Sequence, residues 1–222
     1  MQGRMPWALS SPKLMSQLEE SVTQIESAVD LGSYGTSPGF VGWFEKKKGL
    51  PSEGAAESAW GHFCDYLGDK LPDLIIVTSI LADSDEVGRG EDQERNQRDR
   101  SIVRALVDAR VVREISSSRE FGDDDGSDRF QSLVRDSRRH FAAYRLRDIG
   151  VSCARDLFLT RMLIDGTYGH CFAILQEKGL AFYSHDDQGF GIVCLNSSAD
   201  IVWARRFLQK AGRREGFESR IR

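Results

Sequence analysis

The sequence lacks the short motifs that mark the common cofactor-dependent and nucleophilic enzymes. It contains no Walker A loop, no GxGxxG after a strand, no HExxH and no GxSxG. Nothing therefore predicts a phosphate-cradling loop, a zinc-protease helix or a serine nucleophile elbow. The cysteines stand singly, with no CxxC pair, at Cys64, Cys153, Cys171 and Cys194. This spacing predicts buried, reduced thiols, which suit a reducing compartment, and gives no disulfide framework.

Long hydrophobic runs are also missing. The longest apolar stretch, Leu74–Leu81, contains Thr78 and Ser79 and is too short to span a bilayer. The N-terminus lacks the basic region and apolar segment of a signal peptide. We therefore expect a soluble, cytoplasmic protein without a transmembrane segment.

The sequence also lacks a strong excess of acidic or basic residues, since the formal net charge of the 222 residues is −4. A balance this small neither favours nor excludes a nucleic-acid partner. Basic residues concentrate in the tail from Arg205 to Arg222, which either contacts phosphates or acidic surfaces or is a solvated helix end. Truncation after Ala211 is expected to weaken binding of an anionic partner without unfolding the protein.

The first part of the chain has the spacing of amphipathic helices. One helix is predicted from Leu14, Leu18, Val22, Ile25 and Val29, and a second from Ala56, Trp60, Phe63, Leu67 and Leu71. A buried strand follows at Leu74–Thr78. We therefore divide the chain into a helical N-terminal region, residues 1–72, and an α+β domain, residues 73–222.

After Gly150 the hydrophobic period shortens, and glycine-containing turns separate apolar segments. Four strands are predicted, at Leu157–Ile164, His170–Gln176, Leu180–Ser184 and Gly189–Leu195. A last helix carries Ile201, Val202, Phe207 and Leu208. The fold class is thus α+β, with a mixed sheet ending in an antiparallel β-meander and a C-terminal helix.

The middle of the chain leaves alternatives open. Ala82–Arg100 is a loop or the exposed start of a helix that continues to Val111, and Val111–Ile115 is a helix end or a short strand. His140–Arg147 belongs to a helix or forms a strand. The acidic run Gly122–Asp128 lacks the ligand spacing of an EF-hand, so we predict no metal there.

Among the ionisable residues, Arg155, Arg161, His170 and His185 are the candidates for ligand binding, and no catalytic residue is assigned. His185 precedes two aspartates in a predicted turn, which is the arrangement of a polarised base, but no nucleophile is identifiable beside it. His170 precedes Cys171 on a predicted strand. Because adjacent strand residues point to opposite faces, His170 is poorly placed to activate this thiol.

The C-terminal half resembles the phospholipase D-like superfamily. The resemblance lies in Phe158–Ile164 leading into Asp165-Gly166, the following strands with Phe172 and Phe182, and the last helix. The superfamily's motif is His-x-Lys-x-x-x-x-Asp. Aligned on Asp165, it places Phe158 at the histidine and Thr160 at the lysine, so the resemblance implies a non-catalytic relative. A profilin- or PAS-like meander has the same pattern.

We therefore predict a non-enzymatic regulatory protein without a cofactor. It would contact a protein partner, or a phosphate-bearing ligand through Arg155, Arg161 and the basic tail. One alternative is a phosphodiesterase or Cys/His-type hydrolase that uses His170 or His185. The other is a nucleic-acid-binding regulator.

Overall fold

A computed structural model of the protein describes residues 12–121, 132–133, 137 and 140–222. The acidic run Gly122–Asp128, for which no metal is predicted, lies outside the described residues.

The helices surround two sheets and follow one another along the chain. They are α1 (Pro12–Ala28), α2 (Ser52–Leu67), α3 (Gln93–Asp108), α4 (Ser117–Phe121), α5 (Leu146–Ile149), α6 (Val151–Leu163) and α7 (Ile201–Gly212). Short 3-10 turns occur at Tyr34–Thr36, Gly68–Asp73 and Gln176–Lys178. Among the described helices, none combines the length and apolar character that crossing a membrane requires.

The strands form a seven-stranded antiparallel sheet and a small three-stranded sheet. They are β1 (Phe40–Lys46), β2 (Ile75–Thr78), β3 (Leu81–Asp83), β4 (Arg113–Ile115), β5 (Ala142–Arg145), β6 (Thr167–Tyr168), β7 (Cys171–Leu175), β8 (Leu180–His185), β9 (Gly189–Cys194) and β10 (Phe217–Ile221). The large sheet has the order β10-β1-β9-β8-β7-β2-β5, and the small one β4-β3-β6. The α+β class, the β7–β9 meander and the C-terminal helix are confirmed.

Alternate residues of each strand face opposite sides of the large sheet, and both sides are covered. One side carries a core of phenylalanines shared with α2, α6 and α7, in which Phe63 and Phe190 stack with ring centroids 4.7 Å apart. On the other side, Ile25 and Val29 pack against Val77 and Phe172. The sheet is therefore the centre of the molecule and fixes the positions of the loops at its ends.

The predicted strand Leu157–Ile164 is wrong, because this segment lies in helix α6. Leu157, Phe158, Leu159 and Thr160 are consecutive and all buried, since α6 packs against both the sheet side and neighbouring helices. A helix covered on most sides has no polar stripe. Its short apolar run then looks the same as that of a buried strand.

The predicted helical N-terminal region, residues 1–72, also contributes a strand to the large sheet. Strand β1 lies between β9 and β10 and pairs antiparallel with both. Phe44 of this strand is fully buried in the phenylalanine core. The aromatic residues of this region thus belong to an interior strand of the sheet, and the region is not helical throughout.

The basic tail is likewise ordered structure. Arg205, Arg206 and Lys210 lie on α7, and Arg220 lies on β10, the edge strand paired with β1. Phe217 of β10 is only 2% exposed. The chain after Ala211 is therefore part of the sheet, which changes the expected effect of truncating it.

Of the two alternatives for Ala82–Arg100, a loop or the exposed start of a helix, the second holds for its later part, which begins helix α3 between the parallel strands β3 and β4. Asp92 begins this helix, and its side chain accepts a hydrogen bond from the Arg95 backbone N–H at 3.0 Å. This β-α-β unit places the loop after β3 beside β6 at one end of the large sheet.

Candidate functional site

A polar cleft of about 900 Å³ opens at the end of the large sheet where β7 begins. Its walls come from the loop after α1, the end of α6, the turn leading to β7, the loop after β3 and the β8–β9 turn. The side chains that matter for its chemistry are Tyr34, Glu86, Arg161, Tyr168, His170 and Asp186. The volume lies within the range of small-molecule sites in proteins.

Arg161 lies near the end of α6, and polar contacts on one edge of its guanidinium fix the position of the side chain. Its Nε donates a hydrogen bond to the Gly169 carbonyl at 3.0 Å, and its Nη2 lies 3.1 Å from an Asp186 carboxylate oxygen. The Arg161 side chain is 29% exposed and that of Asp186 is 77% exposed. Arg161 is therefore a partly buried cation whose charged partner is free to move in solvent.

Gly169 makes this arrangement possible because its backbone has a φ of 100°, which favours glycine. A Cβ atom at this position would lie 2.4 Å from the Ser79 carbonyl oxygen. The tight approach turns the Gly169 carbonyl towards α6, where Arg161 binds it.

Tyr34 reaches the cleft from the loop that follows α1. Asp30 shapes this loop by accepting hydrogen bonds from the Gly32 backbone N–H at 2.8 Å and from the Thr36 hydroxyl at 2.6 Å. The Tyr34 hydroxyl then lies 2.5 Å from Nδ1 of His170. Burial raises the pKa of Tyr34 well above its ordinary value, while Arg161 opposes the rise. The hydroxyl therefore keeps its proton at neutral pH, and the tautomer of His170 sets which of the two groups donates the hydrogen bond.

The opposite wall of the cleft is acidic. Tyr168 donates a short hydrogen bond to Glu86, and Asp165 and Asp186 also line the cleft. Among the residues that the structure describes, Arg161 is the only arginine or lysine in the lining. Carboxylates thus outnumber it, and the cleft has a cationic and an anionic side.

The predicted ligand-binding residues separate into those inside and outside the cleft. Arg161 and His170 both line it, although they are nine positions apart in the chain. Arg155 lies elsewhere on α6, where it pairs with Glu57 and Asp156. His185 stacks on Trp43 with a centroid distance of 5.7 Å.

Cys171 has the properties of a structural thiol. It is 1% exposed, and burial raises its pKa well above the ordinary value. Its side chain belongs to the phenylalanine core, whereas His170 stacks on Phe172 on the other side of the sheet. A protonated, buried thiol facing away from the imidazole is a poor nucleophile.

Sequence reasoning missed the aspartates at the carboxyl end of β3. Asp83 is fully buried and accepts hydrogen bonds from the hydroxyl and backbone N–H of Ser117. Asp85 accepts three from Ser116 and Ser118, which lower its pKa to about 2. These bonds join the loops after β3 and β4. The Asp-Ser-Asp triplet after an apolar strand was the available signal.

Tyr34 and Glu86 were missed for a different reason. Each stands in a polar loop without a motif, and only the folded chain brings it to Arg161 and His170. The phospholipase D-like alignment placed Phe158 and Thr160 on a strand, whereas both lie on α6.

Comparisons of the chain with models of protein families, with curated proteins and with solved structures each found no significant match. The function is therefore inferred from the site alone.

Proposed function

We propose that this protein binds a small phosphate-bearing molecule in the cleft, with the phosphate at Arg161. The observation that carries this proposal is the state of the Arg161 guanidinium. It is partly buried, fixed on one edge by Gly169, and balanced by an aspartate that is mostly in solvent.

A phosphate can replace Asp186 at Arg161 with little loss of free energy from the broken ion pair. An exposed ion pair contributes roughly 0–1 kcal/mol, because water solvates both groups almost as well as they solvate each other. A phosphate oxygen bound by a pre-positioned guanidinium forms charge-assisted hydrogen bonds, which are shorter and stronger than neutral ones. The fixed Nε edge also reduces the rotamer entropy lost on binding.

The acidic wall restricts the class of ligand. Glu86 and Asp165 would repel a second phosphate group or a polyanion. They would accept hydrogen bonds from hydroxyl or amino groups, and the Tyr34–His170 pair adds a further polar surface. The ligand we propose thus has one phosphate and several hydroxyl or amino groups, as a sugar phosphate does.

Binding without catalysis accounts for the site more simply than the Cys/His hydrolase alternative. The Cys171 thiol is buried and protonated, and it faces away from His170. The relationship to the phospholipase D-like superfamily stays a prediction, as does a protein partner.

A second candidate is an anion-binding groove of about 760 Å³ along α3, which suits the nucleic-acid alternative. Arg89, Arg100 and Arg104 line it together with one carboxylate, Glu91. All three arginines are exposed. Water and salt screen such charges, so this groove would bind a phosphate less tightly than the cleft.

A panel of paired ligands tests the proposal. Glucose 6-phosphate and glycerol 3-phosphate are each compared with their unphosphorylated parent by thermal unfolding and titration calorimetry. We expect at least one phosphorylated compound to raise the melting temperature, since a ligand at 100 times its Kd stabilises by about 2.7 kcal/mol. The parents should give no shift.

Two variants locate the site. Arg161→Gln should strongly reduce the shift in melting temperature, and Arg104→Gln should leave it intact. The opposite pattern would assign the binding to the α3 groove. If no phosphorylated compound changes the melting temperature or gives heat, the proposal is wrong.

A further inference from the structure

Three metal-ligating side chains meet on the sheet face that also carries α1, at the β8–β9 hairpin. Glu45 lies on β1, His185 ends β8, and Asp187 is in the turn. The turn is tied to β1, because the Lys46 backbone N–H donates a hydrogen bond to the Asp187 carbonyl at 3.0 Å. One imidazole nitrogen and one oxygen from each carboxylate all lie within 4.8 Å of one another.

The contact between His185 and Glu45 brings two acceptors together. Nδ1 of His185 accepts a hydrogen bond from the Asp187 backbone N–H at 3.2 Å, so it has no proton to offer. A Glu45 carboxylate oxygen nevertheless lies 3.8 Å from this nitrogen. A cation bound between these two acceptors would turn their contact into an attractive one.

Glu45 is poorly compensated for a carboxylate in its position. Its side chain is only 12% exposed, and among the described residues its one hydrogen-bond donor is the Trp43 indole N–H at 2.9 Å. The Arg220 guanidinium lies 3.7 Å away, beyond hydrogen-bonding distance, and is 64% exposed. Burying a carboxylate without strong partners is costly, and Arg220 is able to swing away for a competing cation.

The imidazole is also prepared for coordination. Trp43 stacks on the His185 ring at an interplanar angle of 3°, which fixes its orientation.

We propose that Glu45, His185 and Asp187 bind one divalent transition-metal ion, with Zn²⁺ the best fit. Zinc binds imidazole nitrogen and carboxylate oxygen at about 2.0–2.2 Å, which places tetrahedral ligands about 3.4 Å apart. The ligand atoms, which lie within 4.8 Å of one another, would need to approach by up to about 1.4 Å, and Nδ1 would give up the Asp187 N–H. Three protein ligands leave a fourth position for water. This proposal is independent of the ligand in the cleft.

Titration calorimetry of the metal-free protein with zinc chloride tests the site. We expect one Zn²⁺ per chain, a dissociation constant in the micromolar range, and much weaker binding of Mg²⁺. Glu45→Gln, Asp187→Asn and His185→Asn should each weaken zinc binding at least tenfold. Asp65→Asn is the control, because this carboxylate is 78% exposed on α2 and lies outside both the cluster and the cleft, and it should change the affinity less than twofold.

Cobalt absorption distinguishes this cluster from a site made by cysteine. Co²⁺ bound here should give d–d bands without the intense near-ultraviolet charge-transfer band that thiolate ligands produce. The first two variants are isosteric, and circular dichroism checks that they fold. Absence of zinc binding, zinc affinity unchanged in Glu45→Gln and His185→Asn, or a thiolate band with Co²⁺ would each overturn the proposal.

Discussion

Removal of residues 212–222 is expected to lower the free energy of unfolding by at least about 3 kcal/mol. The truncation deletes β10, which pairs with β1 from Gly42 to Lys46. It also removes Phe217, whose ring lies 5.5 Å from that of Phe44 in the core. Deleting one buried phenylalanine side chain costs about 3–5 kcal/mol, and exposing the unpaired edge of β1 adds to the loss.

Urea denaturation of the truncated chain and of two point variants separates packing from charge. Phe217→Ala should account for most of the lost stability, whereas Arg213→Gln should change it by less than about 0.5 kcal/mol, since Arg213 is exposed. A truncated protein as stable as the full chain would show that β10 does not contribute to the folded core.

Replacing Arg161 with glutamine is expected to lower the affinity for the phosphorylated ligand about 10- to 100-fold. Hydrogen bonds to charged groups contribute roughly 1.5–3 kcal/mol, and every 1.4 kcal/mol is tenfold in Kd. The affinity of Arg161→Lys should lie between those of the wild type and Arg161→Gln. Lysine keeps the charge but lacks the planar guanidinium whose Nε binds the Gly169 carbonyl.

Arg155→Gln is the matched control on the same helix. Arg155 is 40% exposed and pairs with Glu57 and Asp156, outside the cleft. Calorimetry should give the wild-type Kd for this variant. Equal losses for Arg155→Gln and Arg161→Gln would indicate a general electrostatic effect of α6 rather than a site.

Much of the fold follows from the hydrophobic period and from the turns between elements. Helix α1 has a polar face, and β7–β9 are short segments separated by turns, of which Gly179 has the expected positive φ of 61°. In the next turn the positive φ of 51° belongs to Gln188 instead of Gly189. Helix α6 escaped prediction because it is buried on several sides.

The candidate site was accessible to sequence reasoning only in part. Arg161 and His170 stand near each other in the chain, so inspection of the same segment found both. Tyr34 and Glu86 come from loops far away in sequence and reach the cleft through the positions of α1 and β3. Glu45 likewise meets His185 only because β1 lies beside β9 in the sheet. Tertiary contacts of this kind leave no local pattern.

Arginine side-chain NMR is the most direct test of binding at Arg161. The Nε–Hε signals of Arg161, Arg155 and Arg104, assigned by their glutamine variants, are followed while the phosphorylated ligand is added. The Arg161 signal should shift saturably with the calorimetric Kd, and the signals of Arg155 and Arg104 should stay in place. A saturable shift at Arg104 with none at Arg161 would contradict the cleft as the binding site.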